Sequence, residues 1–140
     1  MLVCTPELLS QLKNDQIDSL IELMLLAASA DGELSIEEID QLQQSLLEVD
    51  ELWLTQIDLE KRLRDAHDRI SGAQRSERLR AVKATLSAMD ARKAGLELAI
   101  RVMAADGIMR TSERELILET AEALDVDRDA AADMVKAIAG

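Results

Sequence analysis

Apolar positions recur along this chain with a helical period, and in two places they close up into nearly continuous runs. From about Gln16 to Ala30, Ile17, Leu20, Ile21, Leu23, Met24, Leu25, Leu26 and Ala27 leave almost no polar face, which predicts a helix at the centre of a bundle. About Ala91 to Ala105 predicts a second helix of the same kind. The other runs are amphipathic. Ile36, Ile39, Leu42, Leu46 and Val49 share one face; Leu52, Leu59, Leu63, Ala66 and Ile70 mark a helix from about Glu51 to Ile70. A basic helix runs from Ser76 to about Met89, and two more carry Leu116, Ile117, Leu118, Ala121 and Leu124, then Ala131, Met134, Val135 and Ile138. Thr5-Pro6-Glu7 opens a short helix to about Lys13, and Asn14 and Asp15 offer the cap for the next. Ser35-x-x-Glu38 and Ser112-x-x-Glu115 read as capping boxes, Asp90 and Asp127 as caps, and Ser71-Gly72 as a turn. The expectation is an all-α, single helical domain of about seven or eight helices.

The two apolar runs end on the same phrase. Residues 30–38 read Ala-Asp-Gly-Glu-Leu-Ser-Ile-Glu-Glu and residues 105–113 read Ala-Asp-Gly-Ile-Met-Arg-Thr-Ser-Glu. A constant shift of 75 residues aligns Glu22 with Glu97, Asp31-Gly32 with Asp106-Gly107, Glu38 with Glu113 and Asp50 with Asp125. Two copies are too few for a solenoid. They predict two pseudo-two-fold-related helical repeats packed around the two central apolar helices. Repeat one covers about 15–50, a connector about 51–90, and repeat two about 91–138, all within one domain over 1–140.

Composition narrows the core and the partners. With one Trp and no Phe or Tyr in 140 residues, the interior has to be aliphatic and methionine-rich. The net charge of −12 disfavours nucleic acid and favours cations or basic partners. The charge is uneven, because Lys61 to Lys93 carries ten basic residues against four acids. That segment is either a set of solvated faces and inter-helix ion pairs or a basic face for an acidic partner. Cys4 stands alone, which excludes an internal disulfide and suggests a reducing compartment. The longest apolar stretch, Leu20 to Ala30, contains Glu22 and is too short to span a bilayer. The chain opens on no charged-then-apolar leader, so a cytoplasmic protein is expected, with no direct membrane insertion.

Each repeated corner places an Asp at the negative end of a helix dipole, at a cost of about 0.3–1 kcal/mol when exposed. Either the free amides of the next helix offset this, or a cation does. Aligned on Gly32, the corner reads like the second half of an EF-hand, with Glu38 in the bidentate last position, and Gly107 with Glu113 repeats it in part. The first half is missing, since Ala27 and Ser29, or Val102 and Ala104, stand where the leading ligands belong. Asp31, Glu38, Asp106 and Glu113 are therefore the candidate metal ligands, as two half-sites sharing one hard divalent cation, calcium or magnesium rather than zinc. Glu38 has an alternative role, reaching back to the Ser35 amide. His67, the sole His, lies between Asp65 and Asp68 without Cys or His neighbours and is expected at the surface or its boundary. Cys4 is expected inert, Trp53 a packing residue, and the Met residues core filling. The sequence holds no phosphate-binding glycine loop.

The twice-used Ala-Asp-Gly-x-x-x-x-x-Glu phrase on apolar helices resembles the TerB-like family, which includes the tellurite-resistance protein TerB and the N-terminal domain of the co-chaperone DjlA. The resemblance covers about Asp15 to Ile138 and is strongest over Met103 to Leu124. It implies an all-helical domain without catalytic activity, an acidic site for a divalent cation at Asp31, Glu38, Asp106 and Glu113, and a protein partner in stress-response or membrane-associated complexes at the inner face of the membrane. The expected function is a non-enzymatic binding module. Two readings compete with it. One is a metal-dependent phosphohydrolase using the same carboxylates, with the basic segment as its anion clamp. The other is a metal-free interaction domain that docks through the basic connector. The oligomeric state stays open.

Overall fold

A computed structural model of the chain describes residues 11–28, 40, 43, 44, 56–104 and 109–139. Every regular element among the described residues is helical: α1 (Asn14–Ala28), α2 (Gln56–Ile70), α3 (Arg75–Thr85), α4 (Met89–Met103), α5 (Thr111–Ala123) and α6 (Arg128–Ala139). Cys4, Trp53, most of the amphipathic run Ile36–Val49 and the expected first helix up to Ser10 lie outside the described residues; Gln11–Lys13, where that helix is expected to end, are not helical.

The two apolar runs are the centre of the bundle. Every residue from Leu20 to Ala27 on α1, and from Ala94 to Ile100 on α4, is buried. No outward face remains, so both helices must be covered all round. α1 packs most extensively on α4 and also touches α2, α3 and α5; α4 further contacts α5 and α6. The outer helices bury one stripe each. On α2 it is Leu59, Leu63, Ala66 and Ile70, spaced by four, three and four residues, the spacing that lines one side of a helix. Leu79, Val82 and Leu86 do the same around α3. Met24 and Met103 are buried and Met109 packs partly against the core, so these methionines fill space as expected.

α1 and α4 approach closely because Gly95 has no side chain. A Cβ built there would lie 2.4 Å from Leu23 Cδ2 and 3.3 Å from Leu20 Cδ1. Leu20 is the residue that the 75-residue shift pairs with Gly95, so a large residue on one central helix meets its own counterpart, reduced to nothing, on the other. Gly72 has a different reason. Its φ of +80° forms the turn between α2 and α3 at no steric cost.

Helix boundaries follow the hydrogen bonds available to the terminal peptides. α1 begins at Asn14, because the Gln16 side chain accepts the Lys13 amide at 2.9 Å. α3 ends at Thr85 rather than near Met89, with the Leu86 amide closing on Val82 O at 2.8 Å. α4 starts at Met89, since the Ala88 carbonyl accepts the amides of Ala91 and Arg92. Asp90 is thus an acid in the first turn, at the positive end of the dipole, and not the cap. α5 closes in a Schellman motif. Val126 N donates to Ala121 O at 2.8 Å and Asp125 N to Glu122 O at 3.1 Å, with Asp125 at φ 58° in the left-handed position that glycine usually takes.

Gly95→Ala gains about 1 kcal/mol of helix propensity but overpacks the contact at a cost of about 1–3 kcal/mol. Leu20 and Leu23 are fully buried and cannot swing into water. Urea denaturation should show a net loss for Gly95→Ala and a larger one for Gly95→Val. Adding Leu23→Ala, which opens the space, should give favourable coupling in a double-mutant cycle. A Gly95→Ala protein more stable than the wild type would mean that α1 and α4 have room between them.

Candidate functional site

Three of the four corner carboxylates, Asp31, Glu38 and Asp106, lie outside the described residues. Glu113 is described, at the third position of α5, where its Oε1 accepts the Arg110 amide at 3.0 Å. It therefore performs the helix-capping task that the sequence assigns to the corner. The partner differs from expectation. Ser112 and Glu115 do not form the box; Glu115 instead pairs with Arg128 at 3.2 Å, and Arg128 also holds Glu122 at 2.6 Å. The start of α5 resembles that of α1: the side chain three residues on, Glu113 or Gln16, accepts the backbone amide of Arg110 or Lys13, which is the half of a capping box that does not need an accepting side chain at the first position. Among the described residues no group of three or more His, Cys, Asp or Glu side chains is placed to hold a metal ion.

The dominant charged arrangement lies at the centre of the bundle. Glu22, on the apolar run of α1, is 1 % exposed. Arg69 of α2 donates through Nε to its Oε1 at 2.7 Å, while Arg78 of α3 donates through Nε to Oε2 at 2.7 Å and through Nη2 to Oε1 at 2.8 Å. Two helices are thereby fastened to α1 through one carboxylate. Donating to the Glu22 carboxylate raises the Arg78 pKa above the usual arginine value, against the opposing effect of burial. Glu97, the counterpart of Glu22, is also buried, with Arg101 one turn along α4 at 3.6 Å. Sequence reasoning noted both acids without giving them a task. The signal was present, because a carboxylate inside a helix that is apolar all round has to be buried, and a buried carboxylate needs a cation.

The basic segment supplies those cations. Arg62 reaches Asp18 on α1. Arg75 donates to the Leu26 carbonyl and to Thr120 Oγ1, tying the start of α3 to the end of α1 and to α5. Burial pushes the Arg75 pKa down, partly offset by Glu119. Arg75 also bears on the corner problem, since it puts a positive charge at the C-terminal end of α1, the end that leads to Asp31. Arg92 satisfies carbonyls at the ends of two helices, Lys83 O at 3.0 Å and Leu86 O at 2.6 Å around α3 and Leu124 O at 3.0 Å after α5. Lys83 pairs with Asp125 at 2.6 Å. Inter-helix ion pairs therefore account for much of the basic run. The basic run also lines parts of two clefts. One, of about 310 Å³, is lined by Asp40, Gln43, Glu60, Leu63, Arg64 and the half-buried His67. The other, of about 470 Å³, lies between α3 and α5 and is lined by Arg75, Ser76, Leu79, Arg80, Lys83 and Ala123.

A buried carboxylate that loses its cations costs more than partly exposed guanidinium groups that lose their carboxylate. The side chains of Arg69 and Arg78 are 35 % and 25 % exposed and can turn to water; Glu22 cannot. Arg69→Ala combined with Arg78→Ala should lose about 3–5 kcal/mol of unfolding free energy. Glu22→Met should lose clearly less. Equal losses would show that Glu22 reaches solvent when its partners are removed. The Lys83 ammonium lowers the Asp125 pKa below the usual carboxylate range, so this pair contributes fully above that range and fades as pH falls through the lowered value. The acid side of the stability–pH curve should accordingly be shallower in Asp125→Asn than in the wild type.

No helix among the described residues is long and apolar enough to cross a membrane. No curated protein and no solved structure matches the chain. The model of one protein family does, that of tellurite resistance protein TerB, over residues 17–136. The match runs from the first turn of α1 into α6, so it takes in the two central helices, both repeated corners and the arginine-rich connector. The chain belongs to the TerB family.

Proposed function

We propose that this chain is a non-enzymatic binding module of tellurite, metal or other stress response, whose repeated corners hold a divalent cation through Asp31, Glu38, Asp106 and Glu113. The observation that carries this reading is the Asp-Gly-x-x-x-x-x-Glu phrase, used twice at a spacing of 75 residues, in a chain of the TerB family. The packing supports it. α1 and α4, which lead into the two corners, lie against each other, and Leu20 meets its counterpart Gly95, a contact compatible with a pseudo-two-fold relation between the repeats. Glu113 places one carboxylate oxygen on the Arg110 amide, and no other hydrogen bond to it is made among the described residues. Calcium or magnesium suits an all-carboxylate set. A protein partner, in a complex at the inner face of the membrane, fits an acidic module better than nucleic acid does. The phosphohydrolase reading needs an anion clamp in the basic segment. Arg62, Arg69, Arg75, Arg78 and Arg92 are instead committed to carboxylates, carbonyls and a threonine hydroxyl inside the fold.

Thermal unfolding in calcium, magnesium, manganese or zinc tests the cation. An ion present at 100 times its dissociation constant should add about 2.7 kcal/mol of stability. The gain should be lost in Asp31→Asn and in Asp106→Asn. No rise with any ion at millimolar concentration would leave the corners as helix caps and favour the metal-free interaction domain.

A further inference from the structure

The cleft between α3 and α5 is basic on a protein whose net charge is −12. Ser76, Arg80 and Lys83 stand four and three residues apart, so they form one stripe along α3, and Arg75 closes its upper end. Buried Leu79 and exposed Ala123 give the cleft an apolar floor and wall. The three cations differ in availability. Arg75 is fixed by Leu26 and Thr120 and presents its charge from a set position. Arg80 is exposed and has no carboxylate partner among the described residues. Lys83 is held by Asp125, whose carboxylate is itself largely in solvent, with 65 % of the side chain exposed.

We propose that this cleft docks an acidic peptide segment of a partner protein, and that Asp125 occupies the Lys83 position until that segment arrives. The dimensions and charge favour a peptide. From Arg75 to Lys83 the helix rises roughly 12 Å at 1.5 Å per residue, which is about four residues of extended chain at ~3.3 Å each. A segment with carboxylates flanking a small aliphatic residue matches cations set around Leu79 and Ala123. A long polyanion or an anionic membrane would have to approach the rest of a strongly acidic molecule. Asp125 is an internal competitor of the same chemistry as the ligand, a carboxylate on Lys83 Nζ. It is held at a left-handed φ of 58°, a conformation that Asn adopts as readily as Asp. The proposal rests on the binding-module reading, but it needs no metal at the corners.

Binding of a fluorescein-labelled peptide of alternating Glu and Ala is measured by anisotropy at low salt in EDTA, so that failure of the corner cation and failure of the cleft are told apart. The wild type should bind, and the matching Gln-Ala peptide should not. Arg80→Glu, at an exposed position with the circular dichroism spectrum as a fold control, should weaken binding at least about tenfold, equivalent to ~1.4 kcal/mol. Asp125→Asn, which frees Lys83, should tighten it several-fold. Arg64→Glu makes the same charge change on α2 and should weaken binding far less than Arg80→Glu, by no more than about twofold when the titration is repeated at ~0.15 M salt, where the shift in net charge is screened. The proposal is overturned if Arg64→Glu weakens binding as much as Arg80→Glu, if Asp125→Asn leaves affinity unchanged or lower, or if no peptide binds. Stronger capture of an oligonucleotide or of phosphatidylserine vesicles through Arg80 would also overturn it. Concentration-dependent dimerisation abolished by Arg80→Glu would assign the cleft to a second copy of this chain instead.

Discussion

A carboxylate in the middle of the apolar core determines much of how this bundle is assembled. Glu22 lies on a helix with no outward face, so it cannot reach water. Leaving it there alone would cost several kcal/mol. Arg69 and Arg78 remove that cost, and because they come from different helices, α2 and α3 are positioned on α1 by the same two oxygens. A buried pair of this kind adds little net stability compared with well-packed aliphatic side chains. We read its role as orientation: a wrong rotation or register of either helix would strand a charge.

The same chemistry extends outward from Glu22. Arg75, Arg78 and Arg92 belong to one short stretch of chain, yet they face α1, α5 and the ends of α3 and α5. Guanidinium suits this because its planar fork serves several acceptors at once. Six of the ten basic residues in the +6 segment are thus committed to carboxylates, carbonyls or a hydroxyl of the fold. Arg80 on α3 is exposed, and Lys83 beside it pairs with the solvent-exposed Asp125.

The pairing of α1 with α4 follows a second constraint, that of shape. The side chains around Gly95 and its contacts are aliphatic, and neither helix carries an aromatic ring that could lock the angle between them. Gly95 supplies the selection by admitting Leu20 and Leu23 into its place. Repeats related by a 75-residue shift can therefore differ where they touch, because two leucines cannot occupy one position.

The sequence alone determined the all-helical class, the two buried central helices and the family, because periodicity and the repeated Ala-Asp-Gly phrase are local properties that need no partner to be read. The same pattern held the signal that Glu22 belongs inside, since the apolar run around it leaves almost no polar face. Tertiary structure decided which cation meets which acid. Arg69 lies 47 residues from Glu22 and Arg78 lies 56 away, and a helical period gives the face of a side chain but not its neighbour. It likewise chose Glu113 over Glu115 as the cap of α5, because both lie within reach of the first turn and only the path of the chain entering at Arg110 separates them. For the corner carboxylates, the sequence supplies residue types at a suggestive spacing, but whether four acids gather around one ion is a matter of distances across the bundle, which no local pattern contains.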